Sequence, residues 1–344
     1  MQKGDGFGYN HPVIGFSAVR SVTPMRELQA IRKIKGKKFF LQVETSHEAA
    51  DYMKYEELRN EIWKDPLDSF ACTRNMAAEN FFNEGSSLFI AAYVEDESGG
   101  FTKGKEHLVG FSYGFVGVKN KKIGFMDLRN IEFYSQYTGV KDEYQSFGLG
   151  VLIKEYQKKV LVEVFGVFSV TCTYDPLTGI NAYRNIHHFR MDVVDYLEDC
   201  YADFTGKLNR LDVPVDRFFV SWDLKKQPQE PQCDIDELLD SGKCVIQTEV
   251  REVAGKNGPI QLDVIIGIDL SLDNKLLLVE IPFDFYSMLQ ETDVPDSRIR
   301  EIPVVWRFKT REVFRDLFRR GYSIFDFRYF RKEGRKRDFY VLSA

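Results

Sequence analysis

Apolar and polar positions follow two periods along this chain, and each change of period marks an element. "FFLQVET" alternates and reads as a strand. "SHEAADYMKYEELRNEIWKDP" shifts to helical spacing, with Ser46 as its N-cap, Tyr52, Tyr55, Leu58, Ile62 and Trp63 on one side, and Pro66 as its stop. "SSLFIAAYVED" and "EHLVGFSYGFVGV" read as two strands joined into a hairpin through "ESGGFTKGK". "IEFYSQYTGV" is a further strand, and "VLIKEYQKKVLVEVFG" a helix that ends at Gly166. "FSVTCTY" is a buried strand rich in β-branched residues, broken by Asp175-Pro176, and "INAYRNIHHF" opens another helix. Ahead of these, residues 1–36 read as an irregular arm plus a short helix that ends in the basic run "IRKIKGKK".

The Pro- and Gln-rich stretch "KKQPQEPQCD" is the clearest linker. Beyond it, "KCVIQTEV", "IQLDVIIGIDL" and "KLLLVEIP" give three strands, "VVWRFKTREVFRDLFRRG" a helix, and "YSIFDFRYF" with "RDFYVLSA" a closing hairpin. In that helix Val305, Phe308, Val313, Leu317 and Phe318 form the apolar side. The organisation divides into an arm (1–36), a first α/β region (37–224) and a C-terminal α+β region (235–344). A helix followed by two strands recurs near 181–220 and at the C-terminus, which raises the idea of a degenerate second half.

Composition narrows the function classes. The 344 residues are 44% hydrophobic and 29% charged, enough for a large core in a globular protein. A net charge of −5 argues against a global nucleic-acid footprint, although residues 298–338 hold 14 Lys/Arg against 6 Asp/Glu. That local excess suits either a solvated helix face or an acidic partner. No apolar run is long enough to span a bilayer, and the first residues carry no secretory pattern. Cys72, Cys172, Cys200, Cys233 and Cys244 form no paired spacing, and the histidines none for a metal, so reduced thiols, no metal and a cytoplasmic location are expected.

The stretch "KDEYQSFGLGVLIKEYQ" carries the candidate chemistry. Gln145, Gly148 and Gly150 stand between a strand and a helix, where the first helical N–H groups lack partners and the dipole is positive. Glycines there admit positive φ and let an anion approach the bare backbone. Each charge-assisted hydrogen bond contributes about 1.5–3 kcal/mol, against about 1 kcal/mol lost per helical glycine. A tight packing turn fits the same residues.

The spacing from Val140 through Gln145 to Gly148 and Gly150 resembles motif A of the GNAT superfamily of N-acetyltransferases. "TCTYDPLTGINAYRN", "YLEDCYADFTGKLNRLDVPVDRFFVSWDL" and "VEIP…WRFKTREVFRDLFRRGYSIFDF…YVL" are similar to a poorly characterised bacterial and archaeal branch of that superfamily, a likeness that runs from about residue 40 to 344. The resemblance implies a mixed, mostly antiparallel twisted α/β sheet flanked by helices, with a C-terminal α+β extension. It implies acetyl-coenzyme A (acetyl-CoA) as cofactor and a small amine as acceptor. The strand Ile131–Val140 would splay from Ser169–Tyr174. Thr138, Gly139 and Val140 would meet the pantetheine arm, and Gln145, Ser146, Phe147, Gly148, Leu149 and Gly150 the pyrophosphate. Asn181 and Asn185 would touch the cofactor, with helix capping the other reading of Asn181. The superfamily's usual tyrosine acid falls at Ile186, so Tyr183 and His187 are the nearest donors. Glu132 is the first candidate base and Asp175 the second, the latter also suited to fixing its turn. Tyr201, Asn209, Asp216, Arg217 and Trp222 either line the acceptor pocket or serve structure, Asp216 and Arg217 as an ion pair. Two other functions stay open: a non-catalytic acyl-CoA-binding protein, and an aminoacyl or peptidyl transferase built of two such halves.

Overall fold

The computed structural model describes residues 29–64, 72–200, 209–226, 234–332 and 334–344. Eight strands form one mixed sheet: β1 (Gln29–Ile34), β2 (Lys37–Val43), β3 (Ser87–Val94), β4 (Leu108–Val118), β5 (Ile131–Val140), β6 (Ser169–Tyr174), β7 (Asp192–Leu197) and β8 (Arg217–Asp223). Their spatial order is β1-β2-β3-β4-β5-β6-β8-β7. Every neighbouring pair is antiparallel except β5 and β6.

The period of two decides what each face buries. Phe40, Phe89, Ala91 and Tyr93 meet Tyr55 and Leu58 of α1 (Met53–Trp63) and Met76 of α2 (Thr73–Glu79). Phe39, Leu41, Leu88 and Ile90 face the other side, under Leu149, Ile153, Tyr156 and Val160 of α3 (Leu149–Val160). With both faces covered, β3 is buried at every position, which is why it reads as a continuous apolar run. After α3 the chain widens into a π turn, Leu161–Phe165, and stops at Gly166 with φ +66°. After β6 come α4 (Gly179–Ala182) and a second π segment, Tyr183–His188.

Several local expectations need correction. The basic run is not a helix end but the β1–β2 hairpin. Lys35 (φ 48°) and Gly36 (φ 85°) supply the two left-handed residues that a two-residue hairpin turn requires. Its lysines also suit an exposed edge strand. Ser46 does not cap α1. Its Oγ accepts the Glu48 N–H at 3.0 Å, and a 3₁₀ turn, Ala49–Tyr52, intervenes before the helix. Lys64 ends α1 at φ 52°, and Pro66 lies outside the described residues, as do Tyr201, Cys233 and most of the linker.

The C-terminal part comprises α5 (Ile235–Asp240), the hairpin β9 (Ile246–Gly255) and β10 (Gly258–Ile268), β11 (Leu276–Ile281), α6 (Phe285–Glu291), α7 (Ser297–Arg300), α8 (Ile302–Arg319), β12 (Ser323–Lys332) and β13 (Arg335–Ser343). β11, β13 and β12 form a separate antiparallel sheet in that order. The buried side of α8 differs from the one expected. Trp306, Arg307, Thr310, Val313, Phe314 and Leu317 are buried, whereas Val305 and Phe308 are exposed. Counting only apolar residues rotates the face, because Arg307 and Thr310 are buried polar groups with partners. Thr310 Oγ1 donates back to the Trp306 carbonyl at 2.7 Å, and Arg307 binds both carboxylate oxygens of Asp175 at 2.9 and 2.5 Å. Arg311 likewise takes both oxygens of Asp216, at 2.8 and 2.6 Å. The two forks fasten α8 to the end of β6 and the start of β8. No described helix is long and apolar enough to cross a membrane.

Candidate functional site

The parallel pair β5–β6 is joined at only two register positions, Phe133 with Val170 and Tyr134 with Thr171. Beyond them β5 runs on to Val140 and β6 to Tyr174 without pairing each other. Ser135 to Val140 therefore lie along one wall of a cavity of about 960 Å³ that Cys172 to Tyr174 bound on the other. The splay expected of these two strands is present. The start of α3, the α4 segment and, from the C-terminal part, Phe283 to Ser287, Tyr329, Arg331 and Asp338 complete the lining. A smaller cavity, about 490 Å³ between β7, the end of α8 and β12, contains none of the expected site residues.

At the mouth, residues Asp142–Phe147 make a 3₁₀ turn that Gly148 closes at φ +72° before α3 begins. That left-handed angle explains the first glycine. Val151 and Leu152 both donate to the Gly148 carbonyl, at 3.1 and 3.2 Å. The N–H groups of Leu149 and Gly150 occupy the first two helical positions, where the ladder offers no acceptor. A Cβ on Gly150 would stand 3.1 Å from Arg184 Nη1, so the second glycine makes room for a guanidinium beside the helix start. Arg184 donates to Asn181 Oδ1 at 2.8 Å and to Asn185 Oδ1 at 3.5 Å. Both of these partners are neutral, and burial lowers the guanidinium pKa. A cation held by neutral partners, the N–H donors of the first helical turn and a helix dipole thus come together, a layout that favours an anion.

Among the residues expected at a cofactor, Thr138, Gly139, Val140, Gln145, Gly150, Asn181 and Asn185 line the cavity. Gln145 Nε2 donates back to the Val140 carbonyl at 3.4 Å and to Asp142 at 3.1 Å, which ties the turn to β5. Ser146, Phe147, Gly148 and Leu149 do not line it. Phe147 packs on Phe39 at 5.4 Å, Leu149 is core, and the Ser146 carbonyl accepts from Lys35 Nζ at 2.7 Å on the hairpin side. Thr178, not Asn181, occupies the N-cap position of α4, and Asn181 and Asn185 both accept from Arg184.

None of the four candidate catalytic residues reaches the cavity lining. Asp175 is buried and held by Arg307, which fixes it as the turn residue. Glu132 sits at the closed end of β5 opposite Gly117, and burial raises its pKa. Tyr183 is stacked between His187 and Tyr329, with ring centroids 4.6 Å away on each side. His187 Nδ1 donates to Asp326 at 2.9 Å. Asp216 is buried under Arg311, Trp222 packs on Phe189, Asn209 is not in the lining, and Arg217 is.

The groups that do face the cavity come from places the pattern does not mark. Tyr286 stands at the second position of α6, its phenol pushed up to about 12 by burial. Asp338 of β13 is 1% exposed, with Arg331 Nη1 at 3.0 Å. Burial, opposed by Arg331 and reinforced by Asp263 and Glu280, pushes its carboxyl up to about 7. The folded chain therefore keeps a proton that the unfolded chain sheds above about 4. Stability from this group is complete at low pH and is lost as pH rises through 7, by roughly 4 kcal/mol at most. Asp338→Asn is expected to flatten that dependence, so its melting temperature should fall less than wild type's between pH 5 and pH 8. Parallel slopes for the two proteins would remove Asp338 as the titrating group.

No family model matches the chain, and no curated protein matches it in sequence. Among solved structures it is similar to Arabidopsis thaliana NAA60 in complex with acetyl-CoA, at 13% identity and TM-score 0.40 over 55% of this chain and 99% of that one. It is also similar to Mycobacterium smegmatis RimJ in complex with CoA-disulfide, at 14% identity and TM-score 0.39 over 62% and 94% of the two chains. For the spermidine/spermine N-acetyltransferase SpeG from Vibrio cholerae the values are 11%, 0.36, 54% and 96%.

Proposed function

We propose that the chain is an acetyl-CoA-dependent N-acetyltransferase that passes an acetyl group directly to a small primary amine. One observation carries this reading: β5 opens away from β6 along a cavity whose mouth holds Gly150, at the start of α3, beside Arg184. Unpaired strand backbone suits the amides of a pantetheine arm, because buried peptide groups need partners. The helix start and the guanidinium suit a diphosphate. The Gly150 backbone, Arg184 and the exposed edge of β5 would hold the coenzyme. When bound, it supplies an activated thioester.

The chain's own groups then handle the protons. Asp338, near half ionised at neutral pH, would take the proton of an entering ammonium, and the Tyr286 phenol, protonated throughout that range, would give its proton to the departing sulfur and regain one from the newly acylated nitrogen. Tyr329 and Arg331 of the C-terminal region and Arg217 of β8 also line the cavity and would form the acceptor wall of the site. The test is calorimetric titration with acetyl-CoA, followed by thiol release in the presence of amino acids, polyamines and dipeptides. Micromolar binding and amine-dependent release are expected. Absence of binding by folded protein would overturn the reading, and binding without release would favour an acyl-CoA-binding protein.

A further inference from the structure

Lys154 has no part in the scheme above, yet its surroundings are unusual. It lies on α3 one turn after Gly150, lines the cavity and is 2% exposed. Its Nζ donates to Ser135 Oγ at 2.6 Å and to Gln157 Oε1 at 3.4 Å. Both acceptors are neutral. A buried ammonium without a carboxylate is costly, and a group in that position responds by losing its charge. Burial pushes the Lys154 amine down to about 8, with Arg184 adding to the effect and Cys172 opposing it. Those two groups, from the helix after α4 and from β6, are the titratable neighbours that face it. Near neutral pH the uncharged fraction is then roughly 200-fold larger than for an ordinary lysine of pKa near 10.4. Ser135, which anchors the amine, belongs to the stretch of β5 that lies open to the cavity.

We infer that Lys154 is a self-acylation site, a buried amine placed to take the acyl group from a thioester bound along β5. This inference rests on the reading of the cavity as an acyl-thioester site. The Nζ lone pair attacks the thioester carbonyl carbon and an N–C bond forms. The C–S bond breaks with its electron pair on sulfur, and the proton shed by Nζ goes to that sulfur. The products are Nε-acyl-lysine and free thiol, and no oxidant or reductant is needed. The product amide keeps an N–H for Ser135 and removes the buried charge, while its acyl group occupies the floor of the cavity. Modification would therefore silence the site that performs it.

The test uses the full chain with two donors, acetyl-CoA and S-acetyl-N-acetylcysteamine, a short thioester with no nucleotide. Intact mass followed by peptide mapping should show one acetyl group on Lys154, stable to hydroxylamine, with a yield that rises with pH and levels off above about 8. Labelling with acetyl-CoA supports both the inference and the coenzyme reading. Labelling by the short thioester alone, with no calorimetric binding of acetyl-CoA, keeps the inference and overturns the coenzyme reading. A hydroxylamine-labile adduct on Cys172 would overturn the inference, as would an unmodified Lys154 in protein that binds acetyl-CoA. Lys154→Arg, which keeps a cation there, should lose the adduct and nothing else from the peptide map.

Discussion

Arg184→Glu should weaken acetyl-CoA binding by about 100-fold or more, the largest effect expected of any single change at the cavity mouth. The guanidinium supplies at least one charge-assisted hydrogen bond to a diphosphate, worth about 1.5–3 kcal/mol, and the substitution also places a negative charge beside the ligand's own. Asn181 and Asn185 hold the side chain over Gly150, so the loss cannot be recovered by a small rotation. Arg184→Lys keeps the charge but not the fork, and a loss of about tenfold follows. Gly150→Asp should behave like Arg184→Glu, since its carboxylate would sit against Arg184 and occupy the anion position. Calorimetry of the three variants, with circular dichroism to check folding, decides the matter. Folded Arg184→Glu that binds like wild type would move the diphosphate elsewhere and remove the main support for the proposed function.

Arg307→Ala should destabilise the chain by about 3–5 kcal/mol, because it leaves the Asp175 carboxylate buried and unpaired. Both side chains are almost inaccessible, and the fork between them is bidentate. Asp175→Ala should cost a similar amount for the reverse reason. The double variant Arg307→Met/Asp175→Leu should recover most of the loss, since the charges are removed together and apolar volume replaces them. Urea unfolding midpoints for the four proteins complete the cycle. A single variant within about 1 kcal/mol of wild type would mean that water reaches the pair.

The course of β2 to β6 and α3 was legible because apolar strand runs and one amphipathic helical stretch are separated by turn residues, such as Gly166 after the π turn that follows α3. The glycine turn was legible for the same reason: strand, turn and helix lie together in about twenty residues. The β1–β2 hairpin was not, since basic residues crowd the turn on both sides and the deciding fact, two positive φ angles at Lys35 and Gly36, shows only weakly in a Lys-Gly pair. The face of α8 was misread because a buried Arg307 looks like a surface residue until Asp175 is placed opposite it. The chemistry of the cavity was legible only in part. Arg184 could have been found from Asn181, three residues before it on the same helix face. Asp338 and Tyr286 could not, because tertiary contact alone brings them there. The Tyr329 hydroxyl meets the Gly179 carbonyl at 3.3 Å across 150 residues of sequence.

The two rungs between β5 and β6 have a mechanical meaning. The eight strands form a leaf of five, β1 to β5, and a leaf of three, β6, β8 and β7, bound along a short spine. Helices α1 to α3 rest on the wider leaf, whereas Arg307 and Arg311 rivet α8 to the narrower one. The C-terminal part is thus attached to one cover of an open book. An occupant of the gutter would touch both covers at once, so binding and the setting of the angle between them are one event.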